Sequence, residues 1–423
     1  MKLFQRLTDN ATLKSLGPGL ITGAADDDPS GIATYSQAGA QFGFNTLWTL
    51  VLTYPFMVGI QLVSARIGRV TGLGLAGNIR RAYPIWLLYT LVLLLLVANI
   101  VNISADIAAM GEAARMVAGA GSAHLYSFAF GMLCLGLQLV LPYTRYVRYL
   151  KWLTLGLLAY VATGFAVRIP WGEVLARTAL PHFEFTRQSV AIIVAVFGTT
   201  ISPYLFFWQA SQEVEEIRAD GETHALRMAA KEAPEQLARI KRDTVIGMGF
   251  SNTVAYFIML TAAVTLGAAG VTNISTSAQA AEALRPIAGD FAFWLFALGI
   301  VGTGMLAVPV LAGSAAYAVT ESFGWRNGLE LKVQQARKFY GIIVLATLGG
   351  MLLDYAPIDP IEALVLSAQI NGVIAVPIMA IMMLLAQNRK IMGQYTLSTR
   401  HRVLGWCGVG IMAAAVAALF ATL

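Results

Sequence analysis

Charge is scarce in this sequence. Of its 423 residues only 12% are charged, while 57% are hydrophobic. That is about half the charge of an ordinary soluble domain, so a soluble enzyme is excluded and an all-α polytopic membrane protein is implied, read as one domain over residues 1–423. Cysteine is scarcer still: Cys134 and Cys407 lie in different apolar runs and form no CxxC pair. A disulfide framework and a structural zinc site are therefore excluded, and both thiols are expected to be buried packing groups. The four histidines, His124, His182, His224 and His401, each fall in a loop or at a span end, which leaves none near mid-membrane as a ligand or proton relay. The N-terminus "MKLFQRLTDNATLKSLGPGL" lacks a compact apolar core followed by a small-residue cleavage site, so the first hydrophobic segment is expected to remain in the mature protein. No HExxH, GxSxG or paired-aspartate protease motif is present, and an intramembrane enzyme is not expected.

What is there is a series of apolar runs long enough to cross a bilayer. They lie near 17–39, 45–64, 84–110, 126–142, 149–168, 189–210, 243–268, 291–320, 338–355, 360–387 and 403–422, eleven in all. With the N-terminus cytoplasmic, 24 of the 29 Lys and Arg residues fall on the inner side. Only Arg115, Arg168, Arg177, Arg187 and Arg285 fall outside, as the positive-inside rule requires. An odd number of spans then leaves the C-terminus periplasmic or extracellular, in a cell (inner) membrane. The net charge of +6 is thus topological, and no nucleic acid is needed to explain it. The polar insert 211–243 has helix-forming composition with mixed charges and is expected to be a solvated cytoplasmic helix.

The chemistry concentrates in "ITGAADDDPSGIATYSQAGA", residues 21–40, where Asp26, Asp27 and Asp28 precede Pro29 inside the first span. Ionisable groups at that depth cost several kcal/mol unless they face a partner or a wet cavity. Pro29 removes a backbone donor and disfavours helix at Asp28, and Ser30 and Gly31 add freedom, so the helix is expected to unwind there. Five spans later "AVFGTTISPYLFFWQASQ" places Thr199, Thr200 and Ser202 before Pro203, again in mid-span. Two breaks in corresponding spans read as two five-span halves, about 17–168 and 189–387, with an extra helix at about 403–422. Inverted-repeat transporters use that arrangement, with the site at the midplane between discontinuous helices.

These residues also carry a family resemblance. "GPGLITGAADDDPSGIATYSQAGAQFGFNTLW" resembles the first-span signature of the Nramp divalent-metal transporters, whose core is Asp-Pro-Gly-Asn, and "QLVSARIGRVTGLGLA" is similar to the end of that family's second span. Further similarity runs through "SADIAAMGEA", "LAGSAAYAVTESF" and "EALVLSAQINGVIAVPIM". The resemblance implies the LeuT-type fold: eleven transmembrane helices, a 5+5 inverted repeat, and broken helices 1 and 6. Carried over by position, Asp28 matches the family's metal-binding aspartate and Pro29 its proline. Ser30 then replaces glycine and Gly31 replaces the liganding asparagine. In the sixth span Ser202, Pro203 and Tyr204 stand where the family has Met-Pro-His. Asp106 matches a third-span acid of the family's proton path, whereas the acid expected three residues on is Ala109. Near the tenth-span glutamine stand Ala363, Glu362 and, further along, Gln369; Arg337 and Lys338 match a basic pair at the start of the ninth span.

The departures bear on selectivity. Thioether sulfur favours transition metals, so Ser202 removes a filter against magnesium and calcium. Asp26, Asp27, Asp28, Ser30, Ser202, Tyr204 and freed carbonyls offer an all-oxygen environment suited to hard cations. Loss of the methionine and the asparagine is expected to enlarge the cavity and leave room for water ligands. The known precedent is the family's Nramp-related magnesium branch, which this sequence resembles in losing the methionine but not in losing the asparagine. Alternate side chains of an extended backbone point opposite ways, so Asp28 is the first candidate ligand, then Asp27 or Asp26. Crowded carboxylates repel one another, which favours a proton held there when no cation is bound. Asp106, close to the helical face of Asn99, Asn102 and Ser104, reads as part of a water-lined proton path. Thr200, Gln209 and Gln369 read as cavity residues around the site; the aromatic run 204–208 reads as packing. Asp354 and Glu362 read as solvated, at the outer ends of their spans.

The expected function is a secondary transporter or facilitator of a divalent metal cation, magnesium or manganese, working by alternating access. A proton-coupled importer of manganese or ferrous iron is the alternative, followed by a LeuT-type symporter of a small organic solute. The expected partners are the transported ion, protons and the lipid bilayer, with no cofactor, no nucleic acid and no obligate protein partner.

Overall fold

The computed structural model describes residues 22, 23, 25–141, 156–220 and 224–422, and among these there are helices and no strands. The first half of the chain contains α1 (Pro29–Phe42), α2 (Leu47–Thr71), a short α3 (Leu75–Ala82), α4 (Ile85–Ala118), α5 (Ala123–Val140), α6 (Leu158–Ala166) and α7 (Trp171–Ala179). The second contains α8 (Arg187–Thr200), α9 (Pro203–Asp220), α10 (Ala233–Ala262), α11 (Ala292–Phe323), α12 (Arg337–Leu353), α13 (Pro360–Gln387) and α14 (Thr399–Ala421).

Eight stretches among the described residues are long and apolar enough to cross a membrane. Two are compound: Pro29–Thr71 joins α1 and α2 through the Gly43–Thr46 turn, and Arg187–Ala219 joins α8 and α9 across their break. With α1 and α2 counted apart, and with α6 and the 17-residue α12 where the fifth and ninth spans were expected, all eleven expected spans have a helix. The start of the first span, the first residues of the fifth, and the inner-side residues Lys2, Arg6, Lys14, Arg145, Arg148 and Lys151 lie outside the described residues.

Proline alone does not make the breaks, because Pro55, Pro309 and Pro377 sit inside α2, α11 and α13 without ending them. At the first break the backbone is helical at Ala25 and Asp26, bends at Asp27 and is extended at Asp28, with φ −71° and ψ 170°. At the second, Ile201 leaves the helix at φ −119° and ψ 65° before Pro203 starts α9. Each broken span is clamped by a backbone-to-backbone approach that only glycine permits. A Cβ on Gly39 of α1 would lie 2.1 Å from the Met259 carbonyl oxygen of α10, and one on Gly198 of α8 would lie 2.0 Å from the Ala368 carbonyl oxygen of α13.

Three expectations are corrected by the packing. The insert is not a separate solvated helix: its two ends extend α9 to Asp220 and start α10 at Ala233. Glu213 is fully buried there and accepts a 2.7 Å bond from Arg239, which also pairs with Glu216 at 2.9 Å. Cys407 is exposed on α14, where lipid solvates a thiol as readily as a protein core does; Cys134 is buried as expected. Asp354 is not free in solvent, because His124 reaches its carboxylate at 3.0 Å. The run Tyr204–Trp208 is core, as read from sequence.

Gly198→Val is expected to push α8 off α13 at a cost of roughly 1–3 kcal/mol, typical of overpacking. A lower unfolding temperature and a smaller folded yield in detergent would show it; an unchanged melting curve would mean the helices do not approach this closely.

Candidate metal-binding site

Asp28 is the N-cap of α1. Its Oδ1 accepts from the Gly31 amide at 2.8 Å and from the Ser30 hydroxyl at 2.6 Å, satisfying donors that the first helical turn leaves open. Pro29 at the first helical position needs no partner there. With Oδ1 committed to the cap, Oδ2 is held facing Asn102 of α4, whose Nδ2 donates at 3.1 Å, and the Tyr204 hydroxyl of α9 at 3.4 Å. Tyr204 also donates to the Ala25 carbonyl at 3.1 Å, so one phenol spans the unwound segment.

Asp26 and Asp27 face the other way. Both stand within reach of the Ser251 hydroxyl on α10, at 2.8 and 3.0 Å. They share that partner because the chain at Ala25–Asp26 is still helical; extended backbone would have sent them to opposite sides. Ser251 has one hydrogen for two carboxyl groups, and Asp26 Oδ1 and Asp27 Oδ2 have no hydrogen-bond partner among the described residues. Asp106 is completely buried on α4, close enough to Asp28 for the two charges to interact, and neither of its oxygens has a well-formed hydrogen bond. Among the described residues no three His, Cys, Asp or Glu side chains converge as a ready metal cage. A cation here would take Asp28 together with neutral oxygen donors.

The other residues singled out from sequence fall in three places. Ser202, Thr200 and Tyr204 stand at the second break. The Ser202 hydroxyl lies 3.0 and 2.8 Å from the Gly198 and Thr199 carbonyls and caps the end of α8, while Thr200 pairs with Tyr35 of α1 at 3.1 Å. Gln209 sits further along α9 and accepts from Gln61 of α2 at 2.9 Å, away from the carboxylates. Gln369 and Glu362 line a cavity of about 430 Å³ with Gln37. One expected consequence of the sequence departures is corrected: Gly31 opens no space. A Cβ there would already stand 3.3 Å from both Thr199 Oγ1 and a Tyr35 ring carbon, so the room left by the missing asparagine is filled.

Five neighbours were missed or misplaced. Asn102 is a direct partner of Asp28, not only a wall of a path, and its Oδ1 accepts from Ser367 of α13 at 2.7 Å. Asn99, three residues away, instead ties α4 to α11 through Leu311 and Ser314, both at 2.8 Å. Ser251 is a mid-helix serine with no local signature. Thr199 Oγ1 and both amide atoms of Asn371 are buried near the same helices without hydrogen-bond partners among the described residues.

Asp28 lies between two cavities. Gln37, nine residues along α1, lines one, and Glu215, eleven residues along α9 from Tyr204, lines the other. At 1.5 Å per residue these are distances of about 14 and 16 Å, together close to the thickness of the hydrocarbon layer. Asp28 itself is 2% exposed, so the structure is occluded at its centre.

Comparison with known proteins agrees with this geometry. Residues 19–422 match the family model described as "Natural resistance-associated macrophage protein-like". The chain is 24% identical over 413 residues to a divalent metal cation transporter MntH of Caldanaerobacter subterraneus subsp. tengcongensis, covering 93% of this chain and 89% of that one. In fold it is similar to the manganese transporter of Eremococcus coleocola at 16% identity and a TM-score of 0.73, covering 96% of this chain and 85% of that one. It is also similar to MhsT, solved with L-phenylalanine, at 13% identity and a TM-score of 0.60, covering 96% and 98%.

Asn102→Leu keeps the volume but removes both polar contacts. It is expected to slow divalent uptake by about tenfold or more with the chain still folded. Asn99→Leu is expected to act first on thermal stability. Equal uptake in wild type and Asn102→Leu, measured in the same vesicles, would remove Asn102 from the site.

Proposed function

The chain belongs to the Nramp family of divalent metal transporters, a multi-pass membrane transporter and not an enzyme, and from that premise we propose that it carries a hard divalent cation, magnesium before manganese, bound at Asp28. The supporting observation is that every group hydrogen-bonded to the three carboxylates offers oxygen or nitrogen, and Ser202 stands where the family places a sulfur. Asp28 Oδ2 is the anionic ligand, already aimed by the cap. The Tyr204 hydroxyl gives up its bond to Oδ2 and offers its oxygen lone pair. Asn102 turns its amide so that Oδ1 meets the cation, and Ser367, which both donates and accepts, follows the turn. Asp26 and Asp27 contribute charge from the far side, held by Ser251.

Access alternates between the Gln37 cavity, which faces outward, and the Glu215 cavity, which faces inward, as the halves about 17–168 and 189–387 move against each other at their broken helices. The N-terminus and the basic loops lie on the cytoplasmic side of the inner membrane, with the C-terminus opposite. A proton-coupled importer of manganese or ferrous iron is the second reading, and Asp106 favours it: a buried acid beside Asp28 with no well-formed hydrogen bond among the described residues is a natural place for a proton to board. An organic solute fits less well, because three buried acids repel the carboxylate that such sites hold on half-helix N-termini.

Proteoliposomes loaded with magnesium-, manganese- and pH-sensitive dyes test the reading. Asp28→Ala is expected to abolish entry of the ion, and surviving entry would sink the assignment. Ser202→Met is expected to move preference toward manganese and away from magnesium, by about tenfold; unchanged selectivity in that variant would show that the missing sulfur is not the filter. Acidification of the lumen that follows ion entry and disappears in Asp106→Asn would establish proton coupling.

A further inference from the structure

The Glu215 cavity, about 730 Å³, opens between α3, the far end of α9 and the 324–331 loop after α11. Four arginines line it: Arg80, Arg81, Arg218 and Arg326. Arg218 donates to the backbone and side-chain oxygens of Asn327, at 3.0 and 3.2 Å. Arg80, Arg81 and Arg326 have no hydrogen-bond or ion-pair partner among the described residues. Carboxylates are present but engaged elsewhere. Glu215 accepts from the Tyr317 hydroxyl and, at 2.7 Å, from the Leu329 amide; Glu321 accepts from the Gly77 amide at 3.1 Å and from Ser211 at 3.3 Å. Only the exposed Glu330 remains as a local counter-charge.

The cavity also connects to the lipid-facing surface. Trp325 in its wall stacks on Phe323 at 4.7 Å, and Phe323 stacks on Tyr89 of α4 at 5.6 Å. Tyr89 and Phe323 are 43% and 46% exposed, and Trp86 and Leu93 continue the same apolar helix. Lys338 covers the Trp325 ring at 4.1 Å. Aromatic rings beside unpaired arginines are what a membrane–water interface presents to a lipid, with fork-shaped donors suited to phosphate. A soluble anion would use the arginines and have no use for the aromatic slope.

We propose that this cavity binds the phosphate-bearing headgroup of an anionic phospholipid of the inner leaflet, with the acyl chains lying against Tyr89 and Phe323. The site is built from α9, half of a broken span, and from α3 and the loop after α11. A lipid seated there ties together elements that must part for the inner cavity to deepen toward Asp28. The inward placement rests on the orientation proposed above, whereas the binding itself depends on neither sidedness nor the identity of the carried ion.

The test is thermal unfolding of the full chain in detergent, titrated with short-chain phosphatidylglycerol, phosphatidylcholine or inorganic phosphate. Saturable stabilisation by phosphatidylglycerol alone is expected. In Arg80→Gln/Arg81→Gln/Arg326→Gln its half-point should rise by about tenfold or more, with the lipid-free unfolding temperature retained. Arg389→Gln/Lys390→Gln, which removes inner-side charge outside the cavity, should leave the half-point unchanged. Equal stabilisation by phosphatidylcholine, equal loss in the control pair, or full replacement of the lipid by inorganic phosphate would each overturn the proposal. Loss of ion uptake in Asp28→Ala with lipid stabilisation intact would separate this site from the transport site.

Discussion

The rest of the site depends on a division of labour within one carboxylate. Asp28 Oδ1 ends a break in a membrane helix, and Oδ2 is thereby fixed in space. A buried carboxylate is costly in a low-dielectric interior. Here the cost is offset by the Gly31 amide, the Ser30 hydroxyl, the positive end of α1 and the Asn102 amide. No Lys or Arg side chain is among the hydrogen-bond partners of Asp26, Asp27 or Asp28 among the described residues. The protein therefore aligns dipoles around the carboxylates and sets no cationic side chain against them, which is the electrostatic condition that a cation would meet under the proposed function.

The backbone part of this design is legible in sequence. Three aspartates before Pro29, and Thr-Thr-Ile-Ser before Pro203, mark the breaks because proline without flanking flexible or capping residues leaves a helix intact, as Pro55, Pro309 and Pro377 show. Apolar length likewise gives the spans. Direction is what the sequence does not carry. Asn99 and Asn102 are near-equivalent on paper, yet one ties two helices together and the other meets Asp28, and only the packing of α4 against α11 and α13 decides which. In a chain with lipid on one side and protein on the other, an apolar helix also has no pattern that tells a buried thiol from an exposed one, and Cys134 and Cys407 divide accordingly.

Substitution at a site is not the same as subtraction from it. Gly31 in place of a longer side chain suggests a void, but Thr199 and Tyr35 close in until a single Cβ would be tight. Thr199 brings a hydroxyl oxygen with no hydrogen-bond partner among the described residues from α8 to the edge of α1.

Hardness then follows from what surrounds Asp28 more than from how many acids are near it. Asp26 and Asp27 turn to Ser251 and Asp28 to Asn102 and Tyr204, so the three charges act across a short distance without forming one chelate. A calcium ion wants six to eight oxygens, and this arrangement does not gather that many from side chains. Magnesium keeps part of its water shell and asks for one or two carboxylates with neutral oxygens around them. Manganese tolerates the same ligands but gains its usual advantage from softer donors. Under the proposed function, with serine in the one place where sulfur would have supplied that advantage, the discrimination left to the site is geometric: one fixed anionic oxygen, two neutral groups that can reorient, and a closed volume that would admit a hydrated ion only when one of the broken helices moves.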